Sequence, residues 1–255
     1  NISKTIREEN RKTRILLVQA NISGLNSFSP PLGLYYLRAS LKKSSDSDVE
    51  VEILDLGIGS LDQNNIDNSL METINRFQPD VVGVSFATAS SKNAFRIAKI
   101  VKGIKRDTIV VAGGPHVNAV SADEILKETS FDCIFKKEAE ISFCRFVNAI
   151  RKSGEKGALL AISGINIQFG IDSVDTGPAE MIKDVDSLPF PEITPEEMAQ
   201  YDVWIVEPVH KAVPILTTRG CPYGCTFCAK VVFGKKLRKR RAYRDKCSML
   251  FVLIK

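Results

Sequence analysis

No uninterrupted apolar run in the 255 residues approaches the ~18 that a membrane-spanning helix needs, so no transmembrane segment is expected. The stretch from Asn1 to Arg14 is polar and charged and lacks the apolar centre of a signal peptide. Without a secretory leader, clustered cysteines point to metal binding more than to disulfides, and a reducing, cytoplasmic setting is expected. No internal repeat is visible. The basic run Lys235-Lys236-Leu237-Arg238-Lys239-Arg240-Arg241 has no interleaved aromatic residues on which bases could stack, which disfavours a nucleic-acid partner. Such a block reads as a solvated face or a frayed tail. The first residue is Asn rather than Met, which reads as a processed or partial sequence.

What is present is an ordinary globular balance, 44% hydrophobic and 25% charged. Short apolar strands alternate with helical patterns. Strands are expected at Arg14 to Ala20, Val49 to Asp55, Asp80 to Ser85, Thr108 to Gly114 and Phe131 to Phe135. Between them lie a proline-entered helix with Leu34, Leu37 and Leu41 at helical spacing, and helices over Asn65 to Arg76, Lys92 to Ile104, Ser121 to Lys127 and Ile141 to Arg151. Strict alternation at about 30 residues per βα unit implies an α/β domain, a doubly wound parallel five-stranded sheet covered on both faces, over residues 12–152.

After Lys152 the pattern changes. Residues 153–210 read as a linker region, with a short β element at Gly164 to Phe169 and the proline-bounded Asp184-Val185-Asp186-Ser187-Leu188-Pro189-Phe190-Pro191 as an extended connector. A last strand, Ala212 to Thr217, opens a second unit over residues 211–255 and runs into Thr218-Arg219-Gly220-Cys221-Pro222-Tyr223-Gly224-Cys225-Thr226-Phe227-Cys228. Three of the six cysteines fall here, spaced C-x3-C-x2-C. They supply three soft thiolates to one metal centre and no fourth. Closed zinc sites want four ligands, whereas an iron–sulfur cluster held by three thiolates leaves one iron open to a substrate. A zinc site completed by His210 or Cys247 is the competing reading, although neither stands in an obvious ligand position. Gly220 and Gly224 allow close backbone approach and positive φ, and Pro222 stiffens the turn.

In open α/β sheets ligands bind beyond the carboxyl ends of the strands. Those ends carry Asn21 to Pro31, Ser85 to Ser91, Gly113-Gly114-Pro115-His116 and Lys136 to Glu140. Ser85, Thr88, Ser90, Ser91 and the pair Gly113-Gly114 suit a large flat or phosphate-bearing ligand, while the glycine pair equally suits an ordinary turn.

The cysteine segment, with Phe227 just before the last cysteine, resembles the signature of the radical S-adenosylmethionine (radical SAM) superfamily. The resemblance implies a 4Fe-4S cluster on Cys221, Cys225 and Cys228. S-adenosyl-L-methionine would chelate the fourth iron through its amine and carboxylate, Phe227 would lie near the adenine, and one electron would release a 5′-deoxyadenosyl radical. Pro30-Pro31-Leu32-Gly33-Leu34, Asp80-Val81-Val82-Gly83-Val84-Ser85, Gly113-Gly114-Pro115-His116 and Glu138-Ala139-Glu140 together resemble the cobalamin-binding domain that precedes the radical barrel in many such enzymes. The connector at Asp186 to Pro191 resembles the linker between the two. The match runs in the expected order to about Lys236. It implies a cobalamin-binding Rossmann-like domain, with cofactor contacts at Ser85, Thr88, Gly113, Gly114, Pro115, His116 and Glu138, followed by the first strand and cluster loop of a (β/α) barrel. Implied too are methyl transfer to unactivated carbon or phosphorus or a radical rearrangement, a small-molecule or lipid-like substrate, and an electron donor such as flavodoxin or ferredoxin.

Two departures from the family pattern stand out. The loop from Asn21 to Pro31 contains no histidine, so the D-x-H-x-x-G cobalt ligand of other cobalamin proteins is absent. Lys137 stands where the family usually has glycine, before the first acid of G-E-x-E. Only 27 residues follow Cys228, short of the order of 150 to 200 that a barrel needs at ~30 per βα unit. The chain therefore reads as a C-terminally truncated fragment that would be inactive alone. Two alternatives remain: a radical SAM enzyme whose first domain binds no cobalamin, and a non-catalytic small-ligand module with a zinc-binding tail. A receiver-like version of the latter wants an Asp at the end of the third strand, where Val84-Ser85-Phe86 stands.

Overall fold

The protein was analysed as a computed structural model that describes residues 11–44, 48–59, 62–152, 156–201 and 214–241. In chain order the main elements are β1 (Thr13–Gln19), α1 (Leu32–Ser44), β2 (Val49–Asp55), α2 (Gln63–Phe77), β3 (Val81–Ser85), α3 (Ser91–Ile104), β4 (Ile109–Gly113), α4 (Ala122–Glu128), β5 (Cys133–Phe135) and α5 (Glu140–Lys152). There follow α6 (Lys156–Leu160), β6 (Ile165–Phe169), β7 (Asp172–Asp175), α7 (Pro195–Met198), β8 (Thr218–Arg219) and β9 (Arg238–Lys239).

The principal sheet has the order β2-β1-β3-β4-β5-β6-β7. Its first five strands are parallel. This part matches the expected doubly wound arrangement, and the chain reverses direction across the sheet between β1 and β3. Period-two alternation sorts the strand residues onto two faces. Leu16, Val18, Val82, Val84, Val110 and Ala112 pack under α2, α3 and α4, with Leu70, Ile74, Ala98 and Val101 among the helix residues. Ile15, Leu17, Val81, Ile109 and Val111 pack under α1 and α5, where Leu34, Leu41, Phe143, Phe146 and Val147 meet them. Asp62 caps α2 by accepting from the Asn64 and Asn65 amides, and Gln78 closes it in the left-handed conformation. Among the described residues no helix is long and apolar enough to cross a membrane.

The sheet is wider than the expected five parallel strands. β6 pairs antiparallel with β5, and β7 pairs antiparallel with β6. Ile165 and Ile167 are fully buried against the α1/α5 face, which gives this segment a reason to join the sheet. Gly170, at φ 65°, takes the left-handed position of a two-residue hairpin turn, so no crossover helix is needed.

The last expected strand, Ala212 to Thr217, shifts. Its first two residues lie outside the described residues, Pro214 to Thr217 are irregular, and β8 begins only at Thr218. β8 pairs antiparallel with β9, Arg219 opposite Arg238, and the cysteine loop hangs between them. No barrel closes among the described residues. His210, Cys247 and the stretch after Arg241 lie outside them. The proline-bounded connector is not simply extended: Val185–Ser187 forms a 3-10 turn, and Ile182, Val185 and Leu188 pack on Tyr36 of α1.

The basic run departs in part from the expected solvated or frayed segment. Arg238 and Arg240 are buried. Arg238 is drawn inside by the buried Glu138 carboxylate, and Arg240 by the Leu188 carbonyl and the Tyr36 and Phe190 rings, while Lys235, Lys236, Lys239 and Arg241 stay exposed.

The hairpin turn yields a direct test. Gly170→Ala forces a Cβ into the left-handed region and is expected to lower stability by about 1–2 kcal/mol, read from a denaturant midpoint.

Candidate functional site

At the carboxyl ends of β1, β3, β4 and β5 lies a cavity of about 370 Å³. Its floor is apolar, made by Leu17, Gly83, Val111, Phe135 and Phe143. Leu32, Gly33, Tyr36 and Leu37 of the α1 region form one wall, and Gly113, Gly114 and Pro115 another. The remaining wall comes from far along the chain: Leu216, Arg219, Val232 and Phe233 flank the cysteine loop and lean over the strand ends. The cavity therefore belongs to both the sheet and the cysteine segment. Of the residues expected at the site, Ser85, Gly113, Gly114, Pro115 and Glu138 line it.

The adjacent glycines have different reasons to be glycine. Gly114 has φ 98°, and a Cβ there would come within 2.7 Å of the Phe86 carbonyl oxygen. Backbone geometry alone demands it. Gly113 has an ordinary φ, and an added Cβ would meet no atom within 4 Å, as would one at Gly33. Nothing inside the fold requires these two to lack side chains. Their bareness keeps the cavity open for a ligand, and this is the observation that fits a bulky cofactor.

Thr88 and His116 meet each other rather than the cavity. The His116 Nδ1 lies 3.1 Å from the Thr88 Oγ1, and the ring rests against Phe86 and Phe95. Burial holds the imidazole below its ordinary pKa.

A buried ionic cluster joins the α5 entry to the cysteine segment. The Glu138 carboxylate, fully shielded, accepts from the Arg219 Nη1 at 2.9 Å, the Arg238 Nη1 at 2.5 Å and the Ile182 amide at 2.9 Å. Glu140 accepts from the Arg219 Nη2 at 2.5 Å. Burial works against the Arg219 charge, but Glu140 and then Glu138 outweigh it and hold its pKa above the ordinary value. Tyr36 and Phe233 place their rings about the Arg219 guanidinium, each centroid 5.2 Å away. Arg240 lies 4.2 Å from the Phe190 ring, and Arg241 pairs with Asp186 at 2.5 Å. Glu138 thus lines the cavity while both of its oxygens are committed elsewhere.

Neither Arg219 nor Arg238 was expected as a site residue. One signal was available for Arg219: it is the lone charge between Ala212 and Ala229. A single charge in so apolar a stretch needs a partner once it is buried.

Lys137, where glycine is usual, sits at φ 59°. The Asn118 Oδ1 accepts its amide at 2.8 Å, and its Nζ donates across the cavity mouth to the Val231 carbonyl at 2.7 Å. That left-handed geometry is the physical reason for the glycine preference.

The three cysteines occupy one exposed loop. Cys221 is half-buried, its amide donating to the Gly234 carbonyl at 3.2 Å, while Cys225 and Cys228 are exposed and all three thiols are free. Phe227 is 90% exposed. The donor set, three unpaired thiols within eight residues, fits a soft-metal cluster in its chemistry. The thiols do not converge, however: among the described residues no group of three or more His, Cys, Asp or Glu side chains is gathered to hold a metal.

A seat for a ligand at the switch point of a 2-1-3-4-5 parallel sheet defines a nucleotide- or cofactor-binding class of α/β domain. Residues 19–147, just over half the chain, match the model of the B12 binding domain, and the chain belongs to that family. Curated relatives extend the similarity beyond that domain. A protein described as an uncharacterized methyltransferase from Pyrococcus horikoshii is 30% identical over 210 residues, 82% of this chain and 42% of its own length. The anaerobic magnesium-protoporphyrin IX monomethyl ester cyclase of Rubrivivax gelatinosus is 28% identical, covering 83% of this chain and 37% of its own. The cobalamin-dependent radical SAM methyltransferase TokK of Streptomyces tokunonensis is 27% identical over 59% of this chain and 22% of its own. The chain spans about two fifths or less of the length of these relatives.

The buried histidine gives this region a pH signature. In the unfolded chain His116 titrates near ~6.5. Its folded value is lower, so its contribution to stability is complete above that pH and is lost as pH falls through the folded value. Melting temperature is expected to drop from pH 7 to pH 5, and His116→Gln to flatten that slope in a thermal melt series.

Proposed function

We propose that the chain is the cofactor domain and cluster loop of a cobalamin-dependent radical SAM enzyme that transfers methyl groups to, or rearranges, an unactivated substrate. In this reading residues 12–152 bind cobalamin, 153–210 connect, and 211–255 open the radical SAM domain. The observation that carries it is the single cavity walled both by the strand ends and by the segment bearing the cysteines, with Gly33 and Gly113 bare where no internal contact requires it. Membership of the B12 binding domain family supports the cobalamin half, and the similarity to TokK and the cyclase supports the radical half.

When bound, the cluster and S-adenosyl-L-methionine would supply a carbon radical, and cobalamin a transferable methyl group. The chain's own residues hold and shield these groups. Cys221, Cys225 and Cys228 would ligate the cluster, and Phe227 would lie near the adenine. Gly113, Gly114, Pro115 and Ser85 would meet one side of the cobalamin across the strand ends, with Thr88 and His116 stiffening the loops behind them. The apolar floor would pack against the bound cofactor and leave little room for water beneath it. A small-molecule or lipid-like substrate and a flavodoxin- or ferredoxin-like electron donor complete the proposal.

Hydroxocobalamin titration of the anaerobically handled chain tests the first half. Stoichiometric retention after gel filtration, with a perturbed visible spectrum, is expected, whereas a folded chain that retains none removes cobalamin from the account. Gly113→Val places a β-favouring side chain in open space on a strand, so it is expected to fold normally and weaken retention by at least ~10-fold. Metal analysis after anaerobic reconstitution tests the second half. About four irons per chain are expected, lost in Cys225→Ala, and stoichiometric zinc instead would replace the cluster with a structural site.

A further inference from the structure

The cysteine loop has almost no structure of its own. Its base is the β8/β9 ribbon, two residues on each side, with Arg219 opposite Arg238. A two-stranded ribbon of that length does not persist in water unaided. Both paired residues are buried arginines, and both reach the same carboxylate: Glu138 bonds Arg219 through one oxygen and Arg238 through the other. Glu140 adds a second acid on Arg219, so two buried cations face two buried anions. The Ile182 amide and the Ile182 carbonyl, the latter accepting from the Arg238 Nη1 at 2.6 Å, tie the connector to the same point. Cys221 follows Arg219 by two residues, and its amide is held by the Gly234 carbonyl, four residues before β9.

We infer that Glu138 is a positioning residue for the cysteine loop: by balancing the charges of Arg219 and Arg238 it seats both sides of the loop's base against the cavity. The role is electrostatic rather than one of bulk. Losing the Glu138 charge leaves Arg238 without a carboxylate in a water-excluded site, and the ribbon then releases to hydrate it. The inference leans on the cofactor reading only for the reason the loop must face the cavity; the seating itself is a property of this chain.

The reporter is Cys221, half-buried beside the ribbon, measured against the exposed Cys225 as internal standard. Iodoacetamide labelling of the metal-free chain, quantified by peptide mass spectrometry, gives the Cys221/Cys225 rate ratio. Glu138→Gln keeps the side-chain shape and removes the charge, and is expected to raise the ratio by at least ~10-fold while the far-ultraviolet circular dichroism of the sheet persists. The double variant Glu138→Gln with Arg238→Gln restores neutrality and is expected to bring the ratio back toward that of the unaltered chain. A packing role would make the double variant worse than the single. An unchanged ratio in Glu138→Gln, or no recovery in the double variant, overturns the inference. Should Glu138→Gln fail to fold, Arg238→Gln alone carries the test: it leaves two buried carboxylates facing the single Arg219 guanidinium, and that imbalance must also raise the ratio. Hydroxocobalamin retention on the same proteins separates the two claims. Charge-dependent protection of Cys221 in a chain that retains no cobalamin keeps the positioning role and discards the cofactor reading.

Discussion

Two glutamates and two arginines meet where water does not reach, and the placement of the cysteine segment over the sheet follows from that meeting. Glu138 and Glu140 enter α5, while Arg219 and Arg238 flank a loop some 80 to 100 residues further along the chain. Desolvating four charges is expensive, and such a cluster is a poor source of net stability. It is a strong source of specificity, because any other docking of the loop would strand a buried charge. The aromatic rings of Tyr36 and Phe233 complete the enclosure and leave Arg219 a single arrangement in which both acids are reached.

The same cluster explains why the cavity is a joint product. A doubly wound sheet by itself offers only an open crevice at its strand ends. Here Leu216, Arg219, Val232 and Phe233 convert the crevice into a cavity, and they are present because the ionic cluster seats them. The connector is anchored independently on the far side. Arg38 makes a paired contact with Glu197, and the Tyr201 hydroxyl donates to the buried Asp55 at 3.3 Å. Burial raises the Asp55 pKa, burial followed by Glu197 pushes Tyr35 up to about 12, and burial followed by Asp55 raises Tyr201. Lys137 adds a strap between the two parts at the cost of about 1–2 kcal/mol for a left-handed non-glycine residue.

Much of the sheet was legible because its signals are local. Alternation such as Ile15, Leu16, Leu17 and Val18 in β1 distributes side chains to two faces, and helical spacing at Leu34, Leu37 and Leu41 marks α1 without reference to any other part of the chain. Of the two glycines expected at the site, only their contacts separate Gly114, required by its backbone, from Gly113, required by nothing in the fold. The β6/β7 hairpin was half legible: its first strand was readable, but pairing to β5 depends on an edge supplied by a different segment. The basic run misled at Arg238 and Arg240, because its composition is that of a solvated tail while the groups that draw these two inside are distant in sequence.

The sequence by itself determined the order of the parallel strands' elements, the family of residues 19–147 and the trio of cysteines, since periodicity, spacing and motif are properties of neighbours along the chain. Only the tertiary structure decided that Arg219 and Arg238 share Glu138, that Thr88 and His116 bond each other, and that the cysteine segment roofs the cavity. Those are matters of charge and shape between residues far apart in the chain, and a buried charge finds its partner in space rather than in sequence.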